Sequence, residues 1–199
     1  MIRSLVLAAT AIGLSGCALL SSPDPVQLYR FGDNAGAPAG APAAAPVQVR
    51  LRAVEFPSAS RGDRLLGVTG NEAAYIGGAR WVSPAQQLYS QSVETAFLSQ
   101  ARTVRLIGQR ELTPATRVLD IDIRTFETRY DYSGAVPVVT IVAEVRLLRF
   151  PERTVVAERV FTVTEQTGEN RVSAIVQAFD LATRDLNSQI VGWTETNAG

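Results

Sequence analysis

From Val26 onward, apolar and polar residues either alternate or recur at helical spacing, and the switches between these two periods mark out the elements. Val26-Gln27-Leu28-Tyr29-Arg30-Phe31 alternates and carries β-favouring residues, which predicts a first strand. Val47 to Val54 alternates cleanly and predicts a strand with one face in water, stopped at Pro57. Two short β segments follow, Arg64 to Val68 and Ala73 to Ile76, with a turn at Thr69-Gly70-Asn71. Gly77-Gly78 breaks the chain again, and Ala79-Arg80-Trp81 leads towards a helix.

That helix is expected to begin with Ser83 as N-cap, Pro84 in the first helical position and Gln86 completing a capping box. Ala85, Leu88, Tyr89, Ser92, Val93, Ala96 and Phe97 share one face, and the helix should end near Gln100. A short strand, Val104 to Ile107, comes next. A meander of three longer strands follows: one around Leu119, Ile121 and Ile123, one from about Val136 to Phe150, and one from Val155 to Thr164. Pro151-Glu152-Arg153 makes the tight turn between the last two. A final helix, capped by Asn170, carries the apolar stripe Val172, Ile175, Val176, Phe179, Leu186, Ile190 and Trp193, and residues 194–199 read as a frayed tail. Two amphipathic helices against a mostly antiparallel sheet make an α+β, two-layer single domain spanning 26–193.

Residues 32–46 are Gly, Ala and Pro with almost no charge, too little apolar surface to order themselves. They read as a mobile loop after a real strand; the alternative is that everything up to Pro46 is tether and the domain starts at Val47.

The start of the chain has a different pattern. Arg3 precedes an apolar run from Leu5 to Leu14, and Leu14-Ser15-Gly16 leads to Cys17, the one cysteine of the protein. This is the pattern of a secretory signal over residues 1–16, and the run falls short of the about 20 apolar residues that span a bilayer. Leu14-Ser15-Gly16-Cys17 resembles the lipobox of bacterial lipoproteins, whose cysteine is acylated and becomes the mature N-terminus. An ordinary signal peptide with a chance cysteine is the plainer alternative. An acylated Cys17, tethered through residues 17–25, would hold the domain at the periplasmic face of a membrane, because several acyl chains bind far more firmly than one. Ala18 stands where Asp is, in many such bacteria, the signal for retention in the inner membrane; this points to the outer one.

Composition narrows the chemistry. There are 19 basic residues, all arginine, and 19 acidic ones. No basic surplus is available for nucleic acid. Histidine is absent, which excludes a His triad, a His general base and His-ligated zinc. No metal or other cofactor is indicated.

Three clusters could carry chemistry. Asp120 and Asp122 sit two apart on a strand and share a face. They could act as acid and base or bind a hard cation, or simply form the wet face of an amphipathic strand that Arg124 continues. Tyr130-Asp131-Tyr132-Ser133-Gly134 is a hairpin connection rich in aromatics, either a strand end or a stacking and docking surface. Trp81 is either a packing residue that staples the chain onto the helix it enters, or an interface anchor.

Taken in order, the lipobox, Leu28-Tyr29-Arg30-Phe31, Val47 to Pro57, Asp63-Arg64, and Tyr75 through Gly78-Ala79-Arg80-Trp81 with Pro84 resemble the ABC-type transport auxiliary lipoproteins, the PqiC-like group. The resemblance spans most of the chain after Cys17 and is sharpest over 75–88. It implies a non-enzymatic part of a lipid transport machine. Its partners would be a periplasmic protein of the mammalian-cell-entry (MCE) type, an ABC permease and its ATPase, and a homo-oligomeric ring is an option by analogy. On this resemblance the segment from Asp63 to Trp81 is expected to contribute to docking, with Asp63, Arg64, Tyr75, Arg80 and Trp81 as candidates. The rivals are a lipoprotein that binds a lipid directly or assists outer-membrane assembly, and, more remotely, an enzyme.

Overall fold

The computed structural model describes residues 25–32, 45–108 and 111–199. The signal sequence, Cys17, most of the tether and all but the ends of the 32–46 loop lie outside the described residues. The elements are β1 (Gln27–Tyr29), β2 (Val47–Leu51), β3 (Leu66–Thr69), β4 (Glu72–Tyr75), β5 (Ala79–Trp81), α1 (Ala85–Gln100), β6 (Val104–Ile107), β7 (Arg117–Tyr130), β8 (Val138–Arg149), β9 (Val155–Gln166) and α2 (Val172–Asn197).

Strand β7 is the axis of the main sheet. One edge pairs with β8 along its whole length, antiparallel, and β8 pairs in turn with β9. The other edge is shared. Arg117 to Leu119 pair parallel with β2, and Thr128 to Tyr130 pair parallel with β3. β6 extends the sheet beyond β2, and β4 extends it beyond β3 as an antiparallel hairpin. The long strands are antiparallel, as expected, and the short ones make the seven-stranded sheet mixed. A separate parallel pair, β1 with β5, places Gln27 to Tyr29 beside Ala79 to Trp81. The chain on either side of the Gly77-Gly78 break is therefore strand, and Ala79-Arg80-Trp81 is an element of its own rather than a lead-in to the helix.

Both helices cover one face of the sheet, giving the α+β two-layer domain. α2 crosses β8 and β9, with α1 beside it. β8 alternates as a one-sided strand must: Val139, Ile141, Ala143, Val145 and Leu147 are buried beneath α2, and the residues between them are half-exposed. The residues predicted for the inner face of α1 are the ones buried there, from Ala85 to Phe97. α2 buries a wider stripe than expected, adding Ala178, Ala182, Thr183, Asn187, Val191 and Thr194.

Three end-effects differ from expectation. Ser83 does not cap α1; the cap position is Pro84, without a side-chain bond. Gln86 is drawn elsewhere, its Nε2 donating to the Val54 carbonyl at 2.6 Å. Nor does Asn170 cap α2, which begins after Arg171 in an extended conformation. The expected frayed tail is helical to Asn197, with Ala198 buried. The physical reason is Glu195: its Oε1 accepts from the amides of Arg102 at 2.5 Å and Thr103 at 2.7 Å, just past the end of α1.

Gly32 explains how the first strand is locked in. Its φ is +73°, and a Cβ there would meet the Ser92 side chain at 2.5 Å. With no side chain, its amide reaches Asp180 Oδ1 of α2 at 2.8 Å, while Ser92 Oγ accepts from Asn187 Nδ2 at 2.7 Å.

Candidate functional site

The β3–β4 hairpin and the strand after it bring most of the predicted docking residues together. The hairpin turns on Gly70 and Asn71. Gly70 has a φ of +57°, the conformation that a type II′ turn asks of its first loop residue. Beyond β4 the chain reverses through Gly77-Gly78 into β5, so that residues far apart in the turn sequence meet across it. Arg80 Nη1 lies 2.7 Å from Asp63 Oδ2, and the Trp81 amide donates to the Asp63 carbonyl at 2.7 Å. The Arg64 guanidinium stacks 3.6 Å above the centre of the Tyr75 ring, and the Tyr75 hydroxyl donates to the Ala59 carbonyl at 3.1 Å. Asp63, Arg64, Tyr75 and Arg80 thus form one exposed, pre-ordered polar and aromatic surface.

Trp81 is not on it. Its side chain is 2% exposed and packs edge-on against Phe31 at 4.9 Å and Phe179 at 5.5 Å between ring centres. It belongs to a buried aromatic cluster with Phe126, Phe56 and Tyr89. The packing alternative therefore holds for Trp81, though its ring partners are Phe31 and α2 rather than a staple on α1. An interface anchor must present its ring to a partner, and this ring is enclosed.

Two features of the surface were not legible in the sequence. Tyr130, at the end of β7, stands beside Tyr75 in a shallow pocket of about 180 Å³ that Gly67, Thr69, Glu72 and Ile76 also line. Gly67 makes room for it, since a Cβ there would lie 3.3 Å from the Tyr130 ring. In the sequence Tyr130 belongs to a separate aromatic cluster; the parallel pairing of Val68 with Arg129 is what carries it here. Burial raises its phenol pKa. The second feature is the outer edge of β4, which no described strand pairs with. All four of its residues are exposed. In the antiparallel alternation set by the Ile76 amide bonded to the Leu65 carbonyl at 2.9 Å, the amides of Ala73 and Tyr75 point away from β3. Such an edge is a template for another strand.

The other candidates resolve differently. Asp120 and Asp122 share a face as expected, but each has an arginine: Asp120 Oδ2 is 2.8 Å from Arg52 and Asp122 Oδ2 is 3.1 Å from Arg124. Asp120 is 8% exposed rather than wet, because residues 52–55 run alongside β7 and lay Arg52 over it. Its burial raises the carboxyl pKa against the lowering effect of Arg52. Among the described residues no group of His, Cys, Asp and Glu side chains is placed to hold a metal ion. Tyr132, beyond the end of β7, is exposed.

A mixed seven-stranded sheet covered on one face by two helices places the chain in the class of small α+β two-layer domains. Residues 29–191 match the family described as ABC-type transport auxiliary lipoprotein component, and the chain belongs to that family. The fold is shared with solved structures. The protein XCC0632 from Xanthomonas campestris superimposes with a TM-score of 0.75 at 24% identity, over 86% of this chain and 96% of that one. The protein CT253 from Chlamydia trachomatis gives a TM-score of 0.56 at 14% identity, over 77% of this chain and 98% of that one. No curated protein matches the sequence. Among the described residues no helix is long and apolar enough to cross a membrane.

Proposed function

We propose that this chain is a periplasm-facing lipoprotein, anchored through Cys17, that serves as a non-enzymatic component of an ABC transport system of the MCE type. Such a system would move phospholipids or other hydrophobic molecules between the inner and outer membranes, and the outer membrane is the proposed site of the anchor. Membership of the auxiliary family across residues 29–191 is the observation that carries the proposal. The partners are an MCE-domain protein together with the permease and ATPase of the same system.

Docking is assigned to the surface made by Asp63, Arg64, Tyr75 and Arg80, with Tyr130 beside them, and to the open edge of β4. Strand addition supplies main-chain hydrogen bonds, and the neighbouring pocket supplies selectivity. Trp81 supports this surface from below.

The test is a mild-detergent pull-down of the tagged full-length protein, with bound proteins identified by mass spectrometry. Recovery of an MCE protein with its permease and ATPase is expected. Outer-membrane assembly factors in their place would overturn the proposal.

A further inference from the structure

At the end of β7 far from the docking hairpin lies a second concavity, of about 210 Å³, lined by Arg50, Arg52, Arg149 and Arg153. Its remaining wall is apolar: Val118, Leu148 and Phe150. Four arginines around a pocket this small repel one another, and carboxylates offset only two of them. Arg52 is paired with Asp120 at 2.8 Å. Arg50 is held by the carbonyls of Glu111 at 2.9 Å and Thr113 at 2.5 Å, and the Glu111 carboxylate, itself paired with Arg105, offsets part of its charge. Among the described residues no carboxylate forms a salt bridge with Arg50, Arg149 or Arg153.

Arg153 adds a second, independent observation. It closes the β8–β9 turn with a φ of +58°, and it is the one non-glycine among the described residues with positive φ. Gly or Asn would adopt that conformation more readily. Its amide donates to the Arg149 carbonyl at 2.8 Å, and the Phe150 amide to the Thr116 carbonyl at 3.0 Å, so the turn is pinned against the pocket. An arginine here accepts an unfavourable backbone and places a guanidinium at the rim.

We infer that this pocket binds the oxyanion headgroup of an anionic lipid. Arginine forks match phosphate and carboxylate oxygens in geometry as well as in charge. Val118, Leu148 and Phe150 would receive the adjoining carbons, and the rest of the chain would pass over Phe150 and Val155, which are both exposed. The volume suits a headgroup and a few carbons rather than a whole lipid. The inference is independent of the proteins that dock at the hairpin, because about 35 Å of strand separates Val118 from Arg129.

Equilibrium dialysis tests it, using the detergent-solubilised full-length protein, radiolabelled dihexanoylphosphatidic acid and protein-free micelles as blank. Saturable binding is expected, weakened at least tenfold by Arg153→Gly, while circular dichroism shows the variant melting at or above the wild-type temperature. Binding no greater than to the micelles overturns the inference. So does equal affinity for dihexanoylphosphatidylcholine, which would mean the charge is not read, or for inorganic phosphate, which would make the apolar wall idle. An unchanged affinity in Arg153→Gly overturns it too. Should that variant melt lower than wild type, Arg153→Gln decides: a tenfold loss supports the site and an unchanged affinity removes it.

Discussion

Trp81 shows how much a single side chain depends on what surrounds it. A tryptophan between a double glycine and a helix start reads equally well as a wedge or as an anchor. Its enclosure by Phe31 and Phe179, which both pack in turn on Phe126, makes it part of the core. Trp81→Ala should therefore lower stability by about 3–5 kcal/mol, measured by chemical denaturation, and weaken partner binding only as far as it unfolds the protein. A variant of wild-type stability that has lost its partner would put Trp81 back at an interface. Glu195 works by charge. Although burial alone would raise its pKa, the Thr103 amide and hydroxyl and the Arg102 amide hold it below the ordinary 4.5. A carboxylate depressed in the folded state adds stability above its unfolded pKa and loses it as pH falls through the folded value. Glu195→Gln should then be less stable than wild type at pH 7, by about 1 kcal/mol. The difference should shrink in melts as the pH falls below the ordinary carboxylate range and the group protonates in the folded state too. A constant gap across that range would mean that the carboxylate charge is not what ties α2 to Arg102 and Thr103.

At the scale of elements, periodicity predicted the helix faces well and the ends poorly. The buried face of α1 follows from 3.6-residue spacing alone, whereas Ser83 and Gln86 lost their capping roles to contacts made by distant chain, such as the Val54 carbonyl. In β7 the alternation of Leu119, Ile121 and Ile123 is interrupted by a bulge between Ile123 and Thr125, after which Phe126 and Thr128 are the buried residues. Arg124, freed from the ladder, bridges Asp122 and Glu144 on the open face. The exposed β4 edge makes its own prediction. Ala73→Pro removes an outward-facing amide and leaves the pairing to β3 intact, since proline is tolerated on an edge. Recovery of the MCE partner in the pull-down should fall at least tenfold, with the melting temperature within a few degrees of wild type. Undiminished recovery would dismiss strand addition and leave the Arg64–Tyr75 surface as the docking element.

The whole molecule places two unlike sites at opposite ends of one long strand. The hairpin end offers an unpaired edge with aromatics, and the far end offers arginines with an apolar wall. The sites should be separable: Ala73→Pro should leave dihexanoylphosphatidic acid binding unchanged, and Arg153→Gly should leave partner recovery unchanged. Loss of both functions in either variant would indicate a shared site or a destabilised fold, which the melting curve distinguishes. Length, composition and pattern sufficed for the α+β class, the two amphipathic helices and the three-strand meander, because burial periodicity is a local property of the chain; the family was legible only as a resemblance carried by short motifs. Cys17 stood out for the same reason. Neither the parallel pairings that bring Tyr130 to Tyr75 nor the placing of β2 and β8 on the two edges of β7, which gathers Arg50, Arg52, Arg149 and Arg153, can be read locally. Such juxtapositions join residues tens of positions apart, and strand order, which no periodicity encodes, decides them.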